Sequence, residues 1–287
     1  MTIIEPCVVL DMPEDVYHAD PCPTPSLSST MAKTIIKPGG PAILRWEMTH
    51  RRVEKREFEF GTAAHAKVLG RGAEYVEIPE EYLTERGGIS TRGEARAWMA
   101  AQRDAGLIPL KRAEIVQIDD MAEAILANQL AAELLTSATG SPEVSMFAID
   151  EETGRWMRGR IDVLIDDSLV IDYKTSTPPV DIESWARQSW NFGYHVQAAY
   201  YLCMGQDAIF LHIAQQKTAP YLVSVNQLGE DLLDIGALNV TQALHIWDRC
   251  MATGEWPGIP HAIQTISAPR WVRRDLEHQA AEVAADE

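Results

Sequence analysis

The segment from residue 143 to residue 176 predicts three consecutive β-strands joined by two short turns. Its first run, EVSMFAID, alternates polar and apolar residues, which is typical of a strand with one buried face. The acidic turn DEETG leads to a second run, RWMRGRIDVLI, and the turn Asp166-Asp167-Ser168 leads to a third, LVIDYKTS. Because turns this short join neighbouring antiparallel strands, the segment is predicted to form a three-stranded meander.

Helical patterns flank the meander on both sides. Before it, helices are predicted over SSTMAKTIIK, AILRWEMTHRR, Phe60 to Leu69 and the strongly helical residues 91–135. After it, one long helix from Asp181 to Met204 is followed by two strands, AIFLHIAQ and PYLVSVNQ, and a closing helix from Asp231 to Thr253. This order predicts the α/β class, with a central mixed sheet flanked by helices and an N-terminal helical annex.

The same order predicts a division of the chain. Residues 1–140 form a helical region that contributes the GTAAH helix to the core, and residues 141–272 form the core itself. Residues 273–287 are an acidic tail that is predicted to be disordered. The whole chain is expected to fold as one compact domain.

Composition narrows the class of protein. The 287 residues are 46% hydrophobic and carry a net charge of −17, as in a soluble globular protein. We expect a cytoplasmic protein without a membrane partner, because no apolar run approaches the ~20 residues that cross a bilayer. The four cysteines (7, 22, 203 and 250) form no C-x-x-C pair, so neither an iron–sulfur cluster nor a disulfide framework is expected. The acidic balance opposes nonspecific nucleic-acid binding but leaves room for a local basic channel.

The candidate chemistry lies on the second and third strands of the meander. Asp162 is on the second strand, and Asp172-Tyr173-Lys174 is on the third, so the turn brings the two acids side by side. Asp172 and Lys174 are two residues apart and project from the same face. Two carboxylates suit Mg²⁺ or Mn²⁺, and a neighbouring ammonium can orient or help deprotonate a water in phosphodiester hydrolysis. A surface ion pair at a strand end is the alternative interpretation, although only Lys174 of the seven lysines follows an acid by two residues.

Four other residues extend this pattern. Glu143 opens the first strand and is a candidate third carboxylate, and His65 lies on a helix before the sheet. Gln197 and Tyr201 are four residues apart and therefore share one face of the helix that follows Lys174. Each also has a structural interpretation: a solvated strand end, a core histidine, and a helix face between layers.

Taken in order, these motifs resemble the RecB-like branch of the PD-(D/E)XK nuclease superfamily. The pattern of that branch is G-x-x-x-H, E, G-x-x-D, D-x-K and Q-x-x-x-Y. Here it reads Gly61 to His65, Glu143, Gly159 to Asp162, Asp172 to Lys174, and Gln197 to Tyr201.

The chain is more specifically similar to RecE-type, exonuclease VIII-like proteins of phages and prophages. An early Y-H-x-x-P…S-x-S segment is present at Tyr17 to Ser28, a Y-H-V-Q-A-A-Y-Y segment starts at Tyr194, and T-G-E-W-P-G…I-Q-T…P-R-W closes the match near residue 271. One departure is Arg160-Ile161-Asp162, where that group often has proline before the acid.

The resemblance implies a restriction-endonuclease-like core and specific site residues. It assigns Mg²⁺, with Mn²⁺ as a possible substitute, to Asp162, Asp172, the backbone carbonyl of Tyr173 and His65. It makes Lys174 the catalytic lysine, and it makes Glu143, Gln197 and Tyr201 supporting catalytic residues. The implied activity is 5′→3′ digestion of linear duplex DNA from its ends, leaving 3′ single strands for recombination. The implied partners are a RecT-like single-strand annealing protein and further copies of the chain in a ring.

The basic residues suggest a path for DNA. Arg158 and Arg160 share a strand face with Asp162 and are the first candidates for phosphate contacts. Other candidates are Arg155, the run Arg51, Arg52, Lys55 and Arg56, and the group Arg270, Arg273 and Arg274. Two alternatives stay open: a noncatalytic DNA-binding or assembly protein that retains the fold, and an endonuclease or 3′-directed nuclease of the same superfamily.

Overall fold

A computed structural model of the chain describes residues 2–50, 56–205 and 208–269, together with Val272, Arg274 and Leu276. The predicted tail, apart from Arg274 and Leu276, lies outside the described residues. So do Arg51, Arg52, Lys55, Arg270 and Arg273 of the proposed DNA path. Within the described residues, no helix is both long enough and apolar enough to cross a bilayer.

A mixed seven-stranded sheet forms the centre of the fold, with neighbouring strands in the order β1-β5-β6-β7-β8-β9 and β2 paired to β6. Its strands are β1 (Cys7–Val9), β2 (Leu27–Ser28), β5 (Gly140–Ile149), β6 (Trp156–Ile165), β7 (Leu169–Ser176), β8 (Ile209–Gln216) and β9 (Val223–Gln227). A separate parallel pair consists of β3 (Tyr75–Glu77) and β4 (Ile108–Leu110). The predicted meander is β5-β6-β7, in antiparallel pairing, and the predicted α/β class with a central mixed sheet is confirmed.

Helices cover both faces of the sheet. They are α1 (Glu14–His18), α2 (Ser29–Ile35), α3 (Gly40–Thr49), α4 (Arg56–Leu69), α5 (Gly93–Asp104), α6 (Arg112–Ala127), α7 (Gln129–Leu135), α8 (Ile182–Asn191), α9 (Tyr194–Cys203) and α10 (Glu230–Thr253). One apolar cluster joins α2, α9 and α10 to β5, β6 and β7, with Trp247 and Tyr200 fully buried in it. A second joins α6 and α7 to β6, β7 and β8 around Ile125 and Tyr173. Both faces of the central strands are thus removed from water.

The predicted helix from Asp181 to Met204 is wrong in one respect, because it is two helices. α8 ends before Phe192, and α9 begins after Gly193, whose backbone has a φ of +66°. A positive φ is readily adopted by glycine, so Gly193 allows the chain to change direction between the two helices.

The helical prediction for residues 91–135 is also wrong in part. The region contains three helices, α5, α6 and α7, and the strand β4 lies between the first two. Gly106 has a φ of +78° and ends the first helical stretch. Asn128 ends α6 and also caps α7, since its side chain accepts a hydrogen bond from the N–H of Ala131 at 3.0 Å.

The N-terminal region contributes strands as well as helices to the core. β1 pairs antiparallel with β5, and β2 pairs parallel with β6, although residues 1–140 are predicted to be a helical region. Ser28 then caps α2, and its hydroxyl accepts a hydrogen bond from the N–H of Met31 at 3.3 Å. This pairing ties α2 to the strand that carries Asp162.

Candidate active site

Besides β5, strand β6 pairs with β2 along one part of its length and with β7 along another, and the change lies close to Asp162. It pairs with β7 from Val163 to Ile165, whereas its earlier residues Met157 and Arg158 pair with β2. Beyond Val163 the β6–β7 ladder ends, and the backbone N–H of Tyr173 donates a 2.7 Å hydrogen bond to Oδ2 of Asp162. This contact fixes the carboxylate of Asp162 beside the strand that carries Asp172.

One row of polar residues crosses five strands of the sheet. Glu143 in β5 faces Asp162 in β6, since the residue pairs on either side of it are in register. Asp172 in β7 pairs with His212 in β8, which pairs with Asn226 in β9. Strand pairing therefore brings acids from three consecutive strands into one region.

His65, Glu143 and Asp162 form a cluster suited to a metal ion. Each offers one ligand atom, these atoms lie within 4.8 Å of one another, and all three residues are half-buried. Nδ1 of His65 lies 3.6 Å from Oδ2 of Asp162. Burial, and then the charge of Lys174, lowers the pKa of His65 to about 4, so its ring is neutral near pH 7 and retains a lone pair for a metal.

Asp172 is held between Lys174 and Gln197. Nζ of Lys174 lies 2.5 Å from Oδ2 of Asp172, and Nε2 of Gln197 donates a 2.8 Å hydrogen bond to Oδ1. Burial acts to raise the pKa of Asp172, but Lys174 and then His212 hold it below its usual range. Burial also opposes charge on Lys174, yet Asp172 and Asp162 raise its pKa. The pair is therefore a buried carboxylate and ammonium, both charged near pH 7.

The pKa of Asp162 is shifted in the opposite direction to that of Asp172. Burial, and then the charge of Asp172, raises its pKa well above the usual range, although Lys174 acts against this. A buried site with several acids and too few cations favours a proton or a metal ion on one of them. Two carboxylates and a neutral imidazole are ligands that divalent metal ions take in proteins, so the residues fit such an ion.

The ligand set implied by the resemblance overlaps with this cluster without matching it. His65 and Asp162 are common to both, and Glu143 completes the cluster in the structure. Asp172 instead engages Lys174 and Gln197. The rings of His65 and Tyr173 lie 4.9 Å apart between centroids, which places the histidine beside the residue whose carbonyl is a predicted ligand.

Tyr201 contacts the backbone of β6, the strand that carries Asp162. Its hydroxyl donates a 2.8 Å hydrogen bond to the carbonyl of Arg160. A Cβ at Gly159 would lie 2.6 Å from Cε1 of Tyr201, so the ring packs directly on the glycine. Together with Gln197 one turn earlier, Tyr201 attaches α9 to the two acid-bearing strands.

Arg158 is bound to the N-terminal region of the chain. Its Nη1 lies 3.0 Å from Oδ2 of Asp20 and donates hydrogen bonds to the carbonyl and hydroxyl oxygens of Ser26 at 2.8 and 2.6 Å. Asp20 also accepts hydrogen bonds from the N–H and hydroxyl of Ser26. The Y-H-x-x-P…S-x-S segment thus surrounds the half-buried side chain of Arg158.

Arg160 is likewise bound to acceptors within the chain. Its Nε donates a 2.6 Å hydrogen bond to Oε2 of Glu143, and Nη1 donates to the carbonyl of Met12 and the hydroxyl of Ser145, each at 3.2 Å. The guanidinium lies 5.6 Å from the ring centroid of Tyr17. It holds Glu143 in place, and any phosphate contact would compete with these acceptors.

Two further candidates for the DNA path also have acidic partners. Arg155 donates a 2.8 Å hydrogen bond to Asp248, and Arg56 is paired with Glu114 and Glu59. Both charges are therefore compensated within the chain.

The sequence analysis gave no role to His212 or Lys33. His212 is fully buried, and its Nε2 lies 3.8 Å from Oδ2 of Asp172. A histidine within the apolar run IFLHIAQ was the available signal for it. Lys33 lies in the last turn of α2, and only tertiary packing places it near Lys174.

A mixed sheet flanked by helices, with acids on adjacent strands and a lysine two residues after the second acid, defines the class of PD-(D/E)XK proteins. Residues 28–269 match the family described as a PDDEXK-like domain of unknown function, DUF3799, and the chain belongs to that family. The predicted superfamily is thereby confirmed. No curated protein matches the chain.

One solved structure supports this fold. A proposed exonuclease of Eubacterium rectale aligns over 84% of this chain and 91% of its own, at 13% identity and a TM-score of 0.51. A phage-related exonuclease of Haemophilus somnus 129PT covers 80% and 97% at 10% identity, with a TM-score of 0.34. The alkaline exonuclease LHK-Exo of Laribacter hongkongensis covers 67% and 96% at 14% identity, with a TM-score of 0.28. The first of these supports the fold, and the other two are too distant to add to it.

Proposed function

We propose that the protein is a divalent-metal-dependent exodeoxyribonuclease that degrades linear double-stranded DNA. The observation that carries the proposal is the group of charges on β6 and β7, in which Lys174 is ion-paired with Asp172 beside the metal-suited cluster of His65, Glu143 and Asp162. A noncatalytic protein that merely retains the fold has no need for this complete set. The intact set therefore favours an enzyme.

Each residue has a role that its contacts support. His65, Glu143 and Asp162 would hold the metal, with Asp172 and the carbonyl of Tyr173 as further ligands. Mg²⁺, when bound, supplies Lewis-acid stabilisation of the charge that develops on the phosphoryl oxygens, and Mn²⁺ is an expected substitute. The Lys174 ammonium, fixed by Asp172, acts as a cation that orients the attacking water and stabilises negative charge at phosphorus.

The supporting residues fix this arrangement. Gln197 orients Asp172 through one oxygen and leaves the other to Lys174. Tyr201 holds the backbone of β6 next to Asp162. Arg160 orients Glu143, and Arg158 joins β6 to the N-terminal region. Such positioning contributes to rate because the reacting groups need little reorganisation.

Direction and partners rest on the resemblance to RecE-type exonucleases alone. We assign digestion in the 5′→3′ direction, a 3′ single-stranded product for recombination by annealing, a RecT-like annealing partner and a ring of identical subunits. An endonuclease or a 3′-directed nuclease would use the same site, since direction depends on how DNA is admitted to it.

The deciding experiment is digestion of linear duplex DNA labelled at either the 5′ or the 3′ end, with Mg²⁺ or with EDTA. Wild-type protein is compared with Asp172→Ala, and a closed circular duplex serves as the end-free control. Mg²⁺-dependent release of the 5′ label, absent with the variant and with circles, supports the proposal. Release of the 3′ label first would reverse the direction, cutting of circles would indicate an endonuclease, and no cleavage with Mg²⁺ or Mn²⁺ would indicate a binding or assembly role.

A further inference from the structure

A second lysine lies close to Lys174 although it comes from a distant part of the chain. Nζ of Lys33, in the last turn of α2, is 6.0 Å from the ring centroid of Tyr194, and Nζ of Lys174 is 5.7 Å from the same centroid. The stem of Lys33 also packs on Gly193, where a Cβ would lie 3.0 Å from Cδ of the lysine. Two ammonium groups therefore converge on one aromatic ring at the active site.

Only one of these two ammonium groups has an ion-pair partner among the described residues. Lys174 is paired with Asp172, whereas Lys33 makes no ion pair with any carboxylate of the described chain. The side chain is partly buried, and burial followed by the charge of Lys174 lowers the pKa of Lys33 to about 8. A cation held in this way is unfavourable for the free protein, because neither water nor a carboxylate compensates it fully.

The fold fixes the helix that carries Lys33. α2 is capped by Ser28, and β2 joins its start to Met157 and Arg158 of β6. On its other side α2 packs against α9 and α10 within the main apolar cluster. Lys37, one turn further on, is exposed and shows that an unconstrained lysine at this end of the helix points to water.

We propose that Lys33 binds a phosphate of the DNA strand that is cut at Lys174. A phosphodiester is the anion that this site is expected to take, so the inference rests on the proposed nuclease function. The substrate would supply the ion-pair partner that the described residues do not, and Tyr194 would separate the two lysines so that both face the strand. Lys33 is thus a substrate-binding residue, distinct from the groups assigned to the metal.

The experiment combines one variant with one neutral linkage. Lys33→Met and wild type are assayed in single turnovers on duplexes that carry one uncharged methylphosphonate, placed in turn at each linkage around the cut. We expect Lys33→Met to cleave unmodified DNA about tenfold to a hundredfold more slowly at subsaturating protein, the loss of one charge-assisted hydrogen bond. When the methylphosphonate replaces the phosphate that Lys33 contacts, the cleavage rate of wild type should fall by the same factor. The rate of Lys33→Met should fall no further at that linkage.

Two matched variants separate a phosphate contact from a structural effect. Lys37→Met removes the same charge from the exposed neighbour and should cleave like wild type, and Lys33→Arg should retain more activity than Lys33→Met. The slope of log Kd against log salt should fall by about 0.7 to 0.9 for Lys33→Met and should not change for Lys37→Met. Melting curves establish that each variant is folded.

The outcomes distinguish this proposal from the proposed function. If wild type cleaves DNA and Lys33→Met cleaves it at the same rate, Lys33 does not bind a phosphate. The same conclusion holds if, at every linkage, the rate loss caused by the variant and the rate loss caused by the methylphosphonate multiply. If wild type cleaves nothing, the nuclease assignment fails. The same neutral linkages then test Lys33 through equilibrium binding, where an identical Kd for variant and wild type overturns the contact.

Discussion

The side-chain amide of Gln197 donates a 2.8 Å hydrogen bond to Oδ1 of Asp172, while Nζ of Lys174 lies 2.5 Å from Oδ2. Both carboxylate oxygens are thus engaged, each by a side chain from a different element. The aspartate cannot rotate without losing one of these contacts, so α9 determines the geometry of the charged pair on β7.

Replacement of Gln197 by Leu should therefore reduce both stability and cleavage. The variant leaves a buried carboxylate oxygen without its donor, which costs about 1–3 kcal/mol of unfolding free energy. We expect the cleavage rate to fall about tenfold to a hundredfold as Asp172 loses its orientation. Chemical denaturation and single-turnover cleavage measure the two effects. A variant with wild-type rate would show that Lys174 alone orients Asp172.

Replacement of Lys174 by Ala should abolish cleavage and leave DNA binding nearly intact. The ammonium acts on charge that develops during the reaction, so its loss should lower the rate by about a thousandfold. Lys67→Ala is the matched control, since Lys67 is exposed on α4 and paired with Asp119. Single-turnover rates and Kd values are compared. If Lys174→Ala cleaved DNA at the wild-type rate, the role proposed for Lys174 would be wrong.

Replacement of His65 by Ala or Glu143 by Gln should weaken metal binding. Each variant removes one atom of the proposed ligand cluster, and we expect Mn²⁺ affinity to fall by at least about tenfold. Titration calorimetry with Mn²⁺ measures this without any turnover, and EDTA should stop cleavage by wild type. Glu133→Gln, at an exposed position on α7, is the control. Unchanged Mn²⁺ affinity with lost cleavage would remove that residue from the ligand set.

Acidification should destabilise the protein through His212. Burial lowers the pKa of His212 to about 4 from its usual value of 6.5. Between those pH values the unfolded chain binds the proton and the folded chain does not, so the unfolding free energy falls as pH falls from about 6.5 to 4. Over this pH window, the unfolding free energy of wild type should fall by up to about 3 kcal/mol more than that of His212→Leu. Denaturation at several pH values, with the exposed His245→Leu as control, tests this, and parallel curves would contradict it.

Lys33→Met should be more stable than wild type at pH 7. The pKa of Lys33 is lowered to about 8 from 10.5, so its charge destabilises the folded state fully below pH 8. The difference should be about 1–3 kcal/mol and should shrink as pH rises from 8 to 10.5, where the folded lysine has lost its proton. Denaturation of both proteins at pH 7 and pH 10 measures it. If Lys33→Met were less stable than wild type at pH 7, the packing of the lysine stem would stabilise the fold by more than the buried charge destabilises it.

The sequence was sufficient for the parts of the site that depend on strand pairing. Two predicted strands and the short turn between them were enough to bring Asp162, Asp172 and Lys174 together, because register relates sequence position to spatial position. The i, i+4 spacing of Gln197 and Tyr201 likewise predicted a shared helix face, and both contact the sheet.

Other parts of the site depend on contacts between distant segments. Lys33 approaches Lys174 only because β2 pairs with β6, which no local pattern indicates. The two arginines of β6 share a face as predicted, yet acids and carbonyls from distant segments occupy their guanidinium groups. The break at Gly193 was missed because an apolar pattern continues through a single glycine without a change of period.

The pairing of β2 with β6 also bears on how the protein can be shortened. The family match begins at residue 28, but Leu27 is fully buried and Asp20 and Ser26 compensate Arg158. A fragment that begins at residue 28 would retain the whole family region, but it would leave Arg158 without Asp20 and would lose the apolar contacts of Leu27. The folded unit is therefore longer than the region of family similarity, and recombinant fragments should keep the first strand and helix.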